Sequence, residues 1–146
     1  MNRECDAGFL IKQIYDALSK RFNDVLKKYD LTMSQMYVLK YLRENQNKMV
    51  TQKEIEQYLE VSHPTTVGIL KRLESKGFIQ TEIIKEGRFS KQVVLTEKSN
   101  VLHENFQMEH MESEKRLLAP LSPEEREELI VLLQTIYENL KEGVLC

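Results

Sequence analysis

The sequence predicts a mainly α-helical (α+β) fold: a helix-turn-helix followed by a β-wing, set between flanking helices. Three observations predict it. Between Val50 and Thr96, two short amphipathic helical patterns lead directly into two β-branched segments joined by a polar, cationic stretch. Glycine and proline are scarce, five and three of 146 residues, which favours helix around that unit. Apolar side chains with the period of one helix face occupy both ends of the chain. The expected order is helix–helix–(strand)–helix–helix–strand–wing–strand–helix–helix.

Each element has its own signal. Phe9 to Tyr29 carries apolar residues at 11, 14/15, 18, 22, 25/26 and 29, and Tyr29-Asp30 ends that helix. Thr32 and Gln35 form a capping box with Leu31 stapled onto Met36, starting a helix through Val38, Leu39 and Leu42 that stops in the polar cluster Glu44–Lys48. Thr51 with Glu54 repeats the device, with Val50 against Ile55. Ser62 caps the next helix, and Pro64 is tolerated in its first turn, where the N–H has no partner in any case. Val67, Leu70 and Leu73 are its expected inner stripe, and Gly77 its left-handed stop. Phe78–Ile84 and Gln92–Leu95 read as strands. The stretch Lys85–Lys91 between them is a hairpin loop too long for a tight turn. Thr96 caps a long helix through Leu117, and Ser122-Pro123-Glu124-Glu125 opens a last helix with a capping box.

Composition narrows the function. The longest aliphatic run, Leu129–Leu133, is far short of the roughly 20 residues that span a bilayer. The first residues lack a signal peptide's regions, so a cytoplasmic, non-membrane protein is expected. Cys5 and Cys146, at opposite ends, make neither a disulfide framework nor a zinc-ligand spacing. No nucleophile elbow, phosphate loop or metal-protease motif is present, and no enzyme activity, cofactor or metal is expected. Net charge is −2, but its distribution is uneven. From Val61 to Thr96 six cations face three glutamates, a local +3; from Glu97 to Cys146 five cations face eleven glutamates, a local −6. A basic head on an acidic body suits a DNA reader that does not coat itself in nucleic acid, although ordinary surface scatter produces such splits too.

A helix-turn-helix with a wing puts one helix in the DNA major groove and the loop beside it. The expected outward residues of that helix are Ser62, His63, Pro64, Thr65, Thr66, Gly68, Lys71 and Arg72. Small hydroxylated residues near its start can touch base edges and thymine methyls, while Lys71 and Arg72 fit phosphates. His63 can donate to a base or a phosphate. Gly68 in mid-helix costs ~1 kcal/mol relative to alanine, which points to close approach by a neighbour or by DNA. Arg88 at the wing tip can enter a narrow minor groove, with Lys85 and Lys91 on flanking phosphates.

The wider chain adds further expectations. Residues 31–97 form the reading region, and 1–30 with 98–146 a helical region apolar enough for an intertwined dimer; a monomeric bundle also fits the pattern. His103 and His110 share a helix face but lie ~10 Å apart along its axis, too far to chelate one ion together. Tyr15, Tyr29, Met33, Met36 and Tyr37 gather near the junction of the first two helices, as an effector pocket or as plain core. The competing class is a winged-helix module that docks on a protein; Thr65, Thr66, Lys71 and Arg88, all expected to be exposed, favour DNA.

Thr51–Leu59, Val61-Ser62, Ile69–Leu73 and Lys76-Gly77-Phe78-Ile79 together resemble the winged-helix segment of the MarR transcription regulators. So do the Glu86-Gly87-Arg88 wing, Leu95-Thr96-Glu97 and Leu121-Ser122-Pro123-Glu124-Glu125, in the same order over nearly the whole chain. Glu86 stands where the family usually has Asp, and with one more methylene it can still pair with the wing arginine. The resemblance implies an obligate homodimer on a pseudo-palindromic double-stranded operator. It also implies a repressor released by a small phenolic or lipophilic effector, or in some members by an oxidant acting on a cysteine or by a metal. A short first strand near Met49-Val50 would complete the sheet.

Overall fold

Start and stop signals set most of the element boundaries. The computed structural model describes residues 6–86 and 88–142, without the side chains of residues 85, 86 and 88–90. In chain order these form α1 (Ala7–Lys28), α2 (Met33–Glu44), α3 (Gln52–Leu59), α4 (His63–Ser75), β1 (Ile79–Glu86), β2 (Arg88–Leu95), α5 (Glu97–Leu117) and α6 (Pro123–Lys141). The described chain divides into two compact units within α5, after Val101.

The first unit is built on α2–α4 and the hairpin. Thr32 Oγ1 accepts from Gln35 N–H and the Gln35 amide oxygen accepts from Thr32 N–H, so the expected capping box closes. Thr51 closes only half of its box. Its hydroxyl accepts from Glu54 N–H, but the Glu54 carboxylate turns to Lys48 Nζ at 3.1 Å and holds that ammonium's pKa above its usual range. An ion pair offers the carboxylate more than one further neutral N–H, so the return bond is not made. Val38, Ile55 and Leu73 are completely buried, joined by Leu42, Val50, Leu70, Phe78, Ile79 and Val93. Each such aliphatic side chain contributes about 1.5–3 kcal/mol by leaving water, which outweighs any single polar contact here.

The hairpin departs from expectation. β1 and β2 pair antiparallel from Ile79↔Leu95 to Glu86↔Arg88, so most of the stretch expected as a long loop is ladder. Backbone bonds carry that pairing, and a polar residue type does not interrupt it. Gly87, the expected tip, lies outside the described residues. The expected first strand is a single bridge, Thr51 opposite Gln92, with Val93 N–H donating to Val50 O at 2.9 Å.

In the second unit, Leu102 and Phe106 are buried on α5. Ser122 and Glu125 close the capping box of α6, and Arg126 Nε donates to the carbonyls of Leu118 and Leu121, tying down the preceding turn. No residue of α6 is buried: Ile130, Leu132, Leu133, Ile136, Tyr137 and Leu140 all face solvent. α1 in the first unit shows the same habit, exposing Phe9, Ile11, Ile14 and Tyr15 and burying only Leu26.

Candidate nucleic-acid interface

α3 and α4 meet through a turn in which Glu60 takes a left-handed conformation at φ 53. Such a conformation costs a non-glycine residue about 1 kcal/mol and persists here because packing on both sides fixes the crossing. Ser62 then caps α4. Its hydroxyl accepts from Thr65 N–H at 3.3 Å and shares a 2.8 Å contact with Thr65 Oγ1. At the far end Lys76 caps the helix and Gly77 reverses the chain at φ 81, the left-handed region where glycine carries no Cβ penalty. Thirteen residues give α4 a length of about 20 Å.

Of the expected outward residues, Ser62, His63, Pro64, Thr65, Lys71 and Arg72 are exposed. Lys71 and Arg72 form no ion pair among the described residues. Gly68 is half-buried, and a Cβ built there meets nothing within 4 Å. No neighbour among the described residues therefore accounts for this glycine. Thr66 is a correction: it is completely buried, and its hydroxyl donates back to Ser62 O at 3.2 Å. The inner stripe is Thr66, Ile69, Leu70 and Leu73, with Val67 at its half-buried edge. Residue type argued for an outward threonine; the spacing of 66 with 69/70 and 73 argued for an inward one, and the hydroxyl is satisfied locally, which removes the cost of burying it.

The hairpin projects from the end of α4. Glu74 Oε1 accepts from Thr81 N–H at 3.1 Å, and Thr96 Oγ1 donates to Gly77 O at 2.6 Å, so the base of the hairpin is fastened to the C-terminal end of α4. Eight residue pairs at about 3.4 Å each carry the strands roughly 25 Å outward. Lys91 is exposed along β2. The backbones of Lys85 and Arg88 occupy the distal end of the ladder; their side chains lie outside the described residues.

The basic head contributes one cation fewer than its sequence count. Lys76 is turned inward: Nζ donates to Asp30 O and, at 3.1 Å, to the amide oxygen of the buried Gln35, with the Asp30 carboxylate 3.6 Å away. It joins the end of α4 to the α1–α2 turn. A second pairing that the sequence reading missed is His63 Nδ1 with Glu56 Oε2 at 2.8 Å, across the helix-turn-helix. The only sequence signal for it is a carboxylate seven residues before a histidine, a spacing that means nothing until the turn is known.

The remaining candidates are dispersed. Tyr15 and Tyr37 are exposed, while Tyr29, Met33 and Met36 are half-buried. His103 is half-buried and His110 exposed, and among the described residues no three His, Cys, Asp or Glu side chains converge. Cys5 and Cys146 lie outside the described residues. No described helix is long and apolar enough to cross a membrane.

Comparison with known proteins gives a consistent picture. A sequence profile described as MarR family matches residues 29–88. The chain is 35% identical over 117 residues to the HTH-type transcriptional regulator YwoH of Bacillus subtilis (strain 168), covering 80% of this chain and 83% of that protein. It is 27% identical over 124 residues to the HTH-type transcriptional regulator PecS of Dickeya dadantii (strain 3937), covering 84% and 75%. The structure is similar to MepR of Staphylococcus aureus, a transcription regulator of the multidrug efflux pump MepA, with TM-score 0.82 and 27% identity over 92% of this chain and 98% of that one. The S. aureus MepR–DNA complex matches with TM-score 0.75 and 28% identity over 91% and 98%.

Proposed function

Because this chain belongs to the MarR family of transcription regulators, we propose that it is a homodimeric repressor that binds a pseudo-palindromic DNA operator and releases it when a small effector binds. The observation that carries the DNA reading is the exposed start of α4, Ser62–Thr65, followed two turns on by the exposed Lys71 and Arg72. Ser62, His63, Pro64 and Thr65 are assigned to base edges, and Lys71 and Arg72 to phosphates. Gly68 lets the helix approach closely. Arg88 reads the minor groove, with Lys85 and Lys91 on its flanks.

Dimerisation rests on the apolar faces that α1 and α6 each leave in solvent, more than a monomer ordinarily exposes. A two-fold dimer places two α4 helices about 34 Å apart, one helical turn of DNA. The adaptable Met33 and Met36 with Tyr29 supply a surface for a phenolic or lipophilic effector. Selection of binding sites from random duplex DNA, followed by gel-shift titration over a salt series, tests the reading. Palindromic half-sites one turn apart and a steep loss of affinity with salt are expected. Salt-insensitive binding, or no enriched sequence, would instead support a winged-helix module that docks on a protein.

A further inference from the structure

His63 is the first residue of α4 and Glu56 lies on α3, so their 2.8 Å contact spans the two helices of the reading unit. The imidazole side chain is 66% exposed and the carboxylate 29%. An ionised carboxylate can only accept, so at this distance Nδ1 carries the proton and Nε2 is left for whatever meets the exposed start of α4. With Nδ1–H committed, a neutral ring offers a lone pair at Nε2 and a protonated ring offers an N–H. The two forms suit opposite partners. The lone pair accepts from an adenine N6 or cytosine N4 amino group; the N–H donates to guanine O6 or N7, or to a phosphate oxygen. Other charges are few. Lys53 sits one turn before Glu56 on α3, Glu60 lies in the turn after that helix, and α4 carries no further titratable side chain before Lys71. α2 and β1 also pack on α4, but among the described residues no charged group on either bonds to His63.

We propose that Glu56 is a positioning residue that fixes His63 in its Nδ1–H tautomer and makes the ring a proton-dependent reader of the operator. The inference rests on the DNA reading above. Histidine ordinarily changes charge between pH 5 and 8. Uptake of one proton at Nε2 converts an acceptor into a donor facing the DNA, while the Nδ1–H bond to Glu56 is kept. With a guanine O6 or N7 as the partner, the protonated ring makes a hydrogen bond that the neutral ring lacks, and operator affinity rises as pH falls through that range, by about three- to tenfold, the worth of one net hydrogen bond.

Two measurements on the full chain test this. Nitrogen-15 spectra of the three histidine rings at pH 8 without DNA, with H63Q supplying the assignment, report the tautomer directly. Nδ1–H is expected for His63 in the unsubstituted protein, moving to Nε2–H in E56A. An Nε2–H ring in the unsubstituted protein, or no change in E56A, overturns the positioning role without reference to DNA. Operator titrations from pH 6 to 8.5 at fixed salt then report the linkage. The slope, rather than the absolute affinity, is read, because E56A also removes a negative charge from the surface. A rise on acidification that flattens in H63Q is expected, and an equal slope in H63Q overturns the proton-dependent reading. Failure of the unsubstituted protein to retard any DNA overturns the regulator assignment and the operator role together, while the tautomer result stands apart from it.

Discussion

Gly68→Ala separates stability from DNA contact in α4. Gly68 lies inside a helix of thirteen residues, and a methyl group there meets no atom within 4 Å. The substitution therefore removes backbone freedom from the unfolded chain without straining the folded one, a gain of ~1 kcal/mol. For a chain of this length that raises the melting midpoint by about 3 °C. In urea, with a slope of about 2 kcal/mol per molar, it moves the midpoint up by roughly 0.5 M. Nothing among the described residues explains why glycine occupies a position where alanine is more stable. On the proposed DNA reading the groove supplies the missing neighbour, and a methyl group forced between helix and groove is expected to weaken operator binding by about tenfold, ~1.4 kcal/mol. Urea unfolding followed by circular dichroism, at one protein concentration because a dimer's midpoint depends on it, reads the first effect. Gel-shift titration at fixed salt reads the second. A loss of stability would refute the open space around position 68, and an affinity equal to or tighter than that of the unsubstituted protein would refute close approach to DNA.

Three other outcomes are expected. Arg88→Ala weakens operator binding at least tenfold at physiological salt by gel shift, and an unchanged titration would remove Arg88 from the wing contact. Leu133→Asp on the solvent-facing surface of α6 converts the proposed dimer to monomer in sedimentation velocity; a dimer that survives it places the interface elsewhere. Glu125 is held below the usual carboxylate range by the Ser122 backbone N–H and then by the Ser122 side chain. A carboxylate with a lowered folded pKa contributes stability above its unfolded value and loses it as pH falls through the folded one. Its start-of-helix contribution is thus intact at neutral pH and lost on acidification. Ser122→Ala moves the Glu125 titration, followed by carboxyl NMR, part of the way back to the ordinary range. A titration left in place would show that the hydroxyl has no part in it.

Local signals carried most of the fold. Thr32 with Gln35 and Ser122 with Glu125 close their boxes as expected, because both partners lie within one turn; Gln35 Oε1 keeps its bond from Thr32 N–H while also accepting from Lys76 Nζ. Thr51 with Glu54 has the same local signature and closes only halfway, because Lys48 takes the carboxylate. Thr66 was misplaced for a different reason. Its polarity argued outward, while the phase of the helix, set by Ile69, Leu70 and Leu73, turned it inward. The loop expected between the strands is shorter for a third reason: ladder bonds belong to the backbone, so a run of polar side chains conceals them.

The candidate site was legible to the extent that it is contiguous. Ser62–Thr65, Lys71 and Arg72 lie on one helix, and a single period places them together. Lys76 is turned inward by Asp30 and Gln35, more than forty residues earlier, and His63 is fastened to Glu56 across a turn. No helical or strand period relates such residues.

By itself, then, the sequence determined the order of the helices, their caps, the β-hairpin and the winged helix-turn-helix stretch, because each depends on residues within a turn or two of one another. The tertiary structure alone decided the phase of α4, the loss of Lys76 from the basic head, the pairing of His63 with Glu56 and the empty space beside Gly68. Those depend on which distant groups meet, and that is settled by packing the shared core.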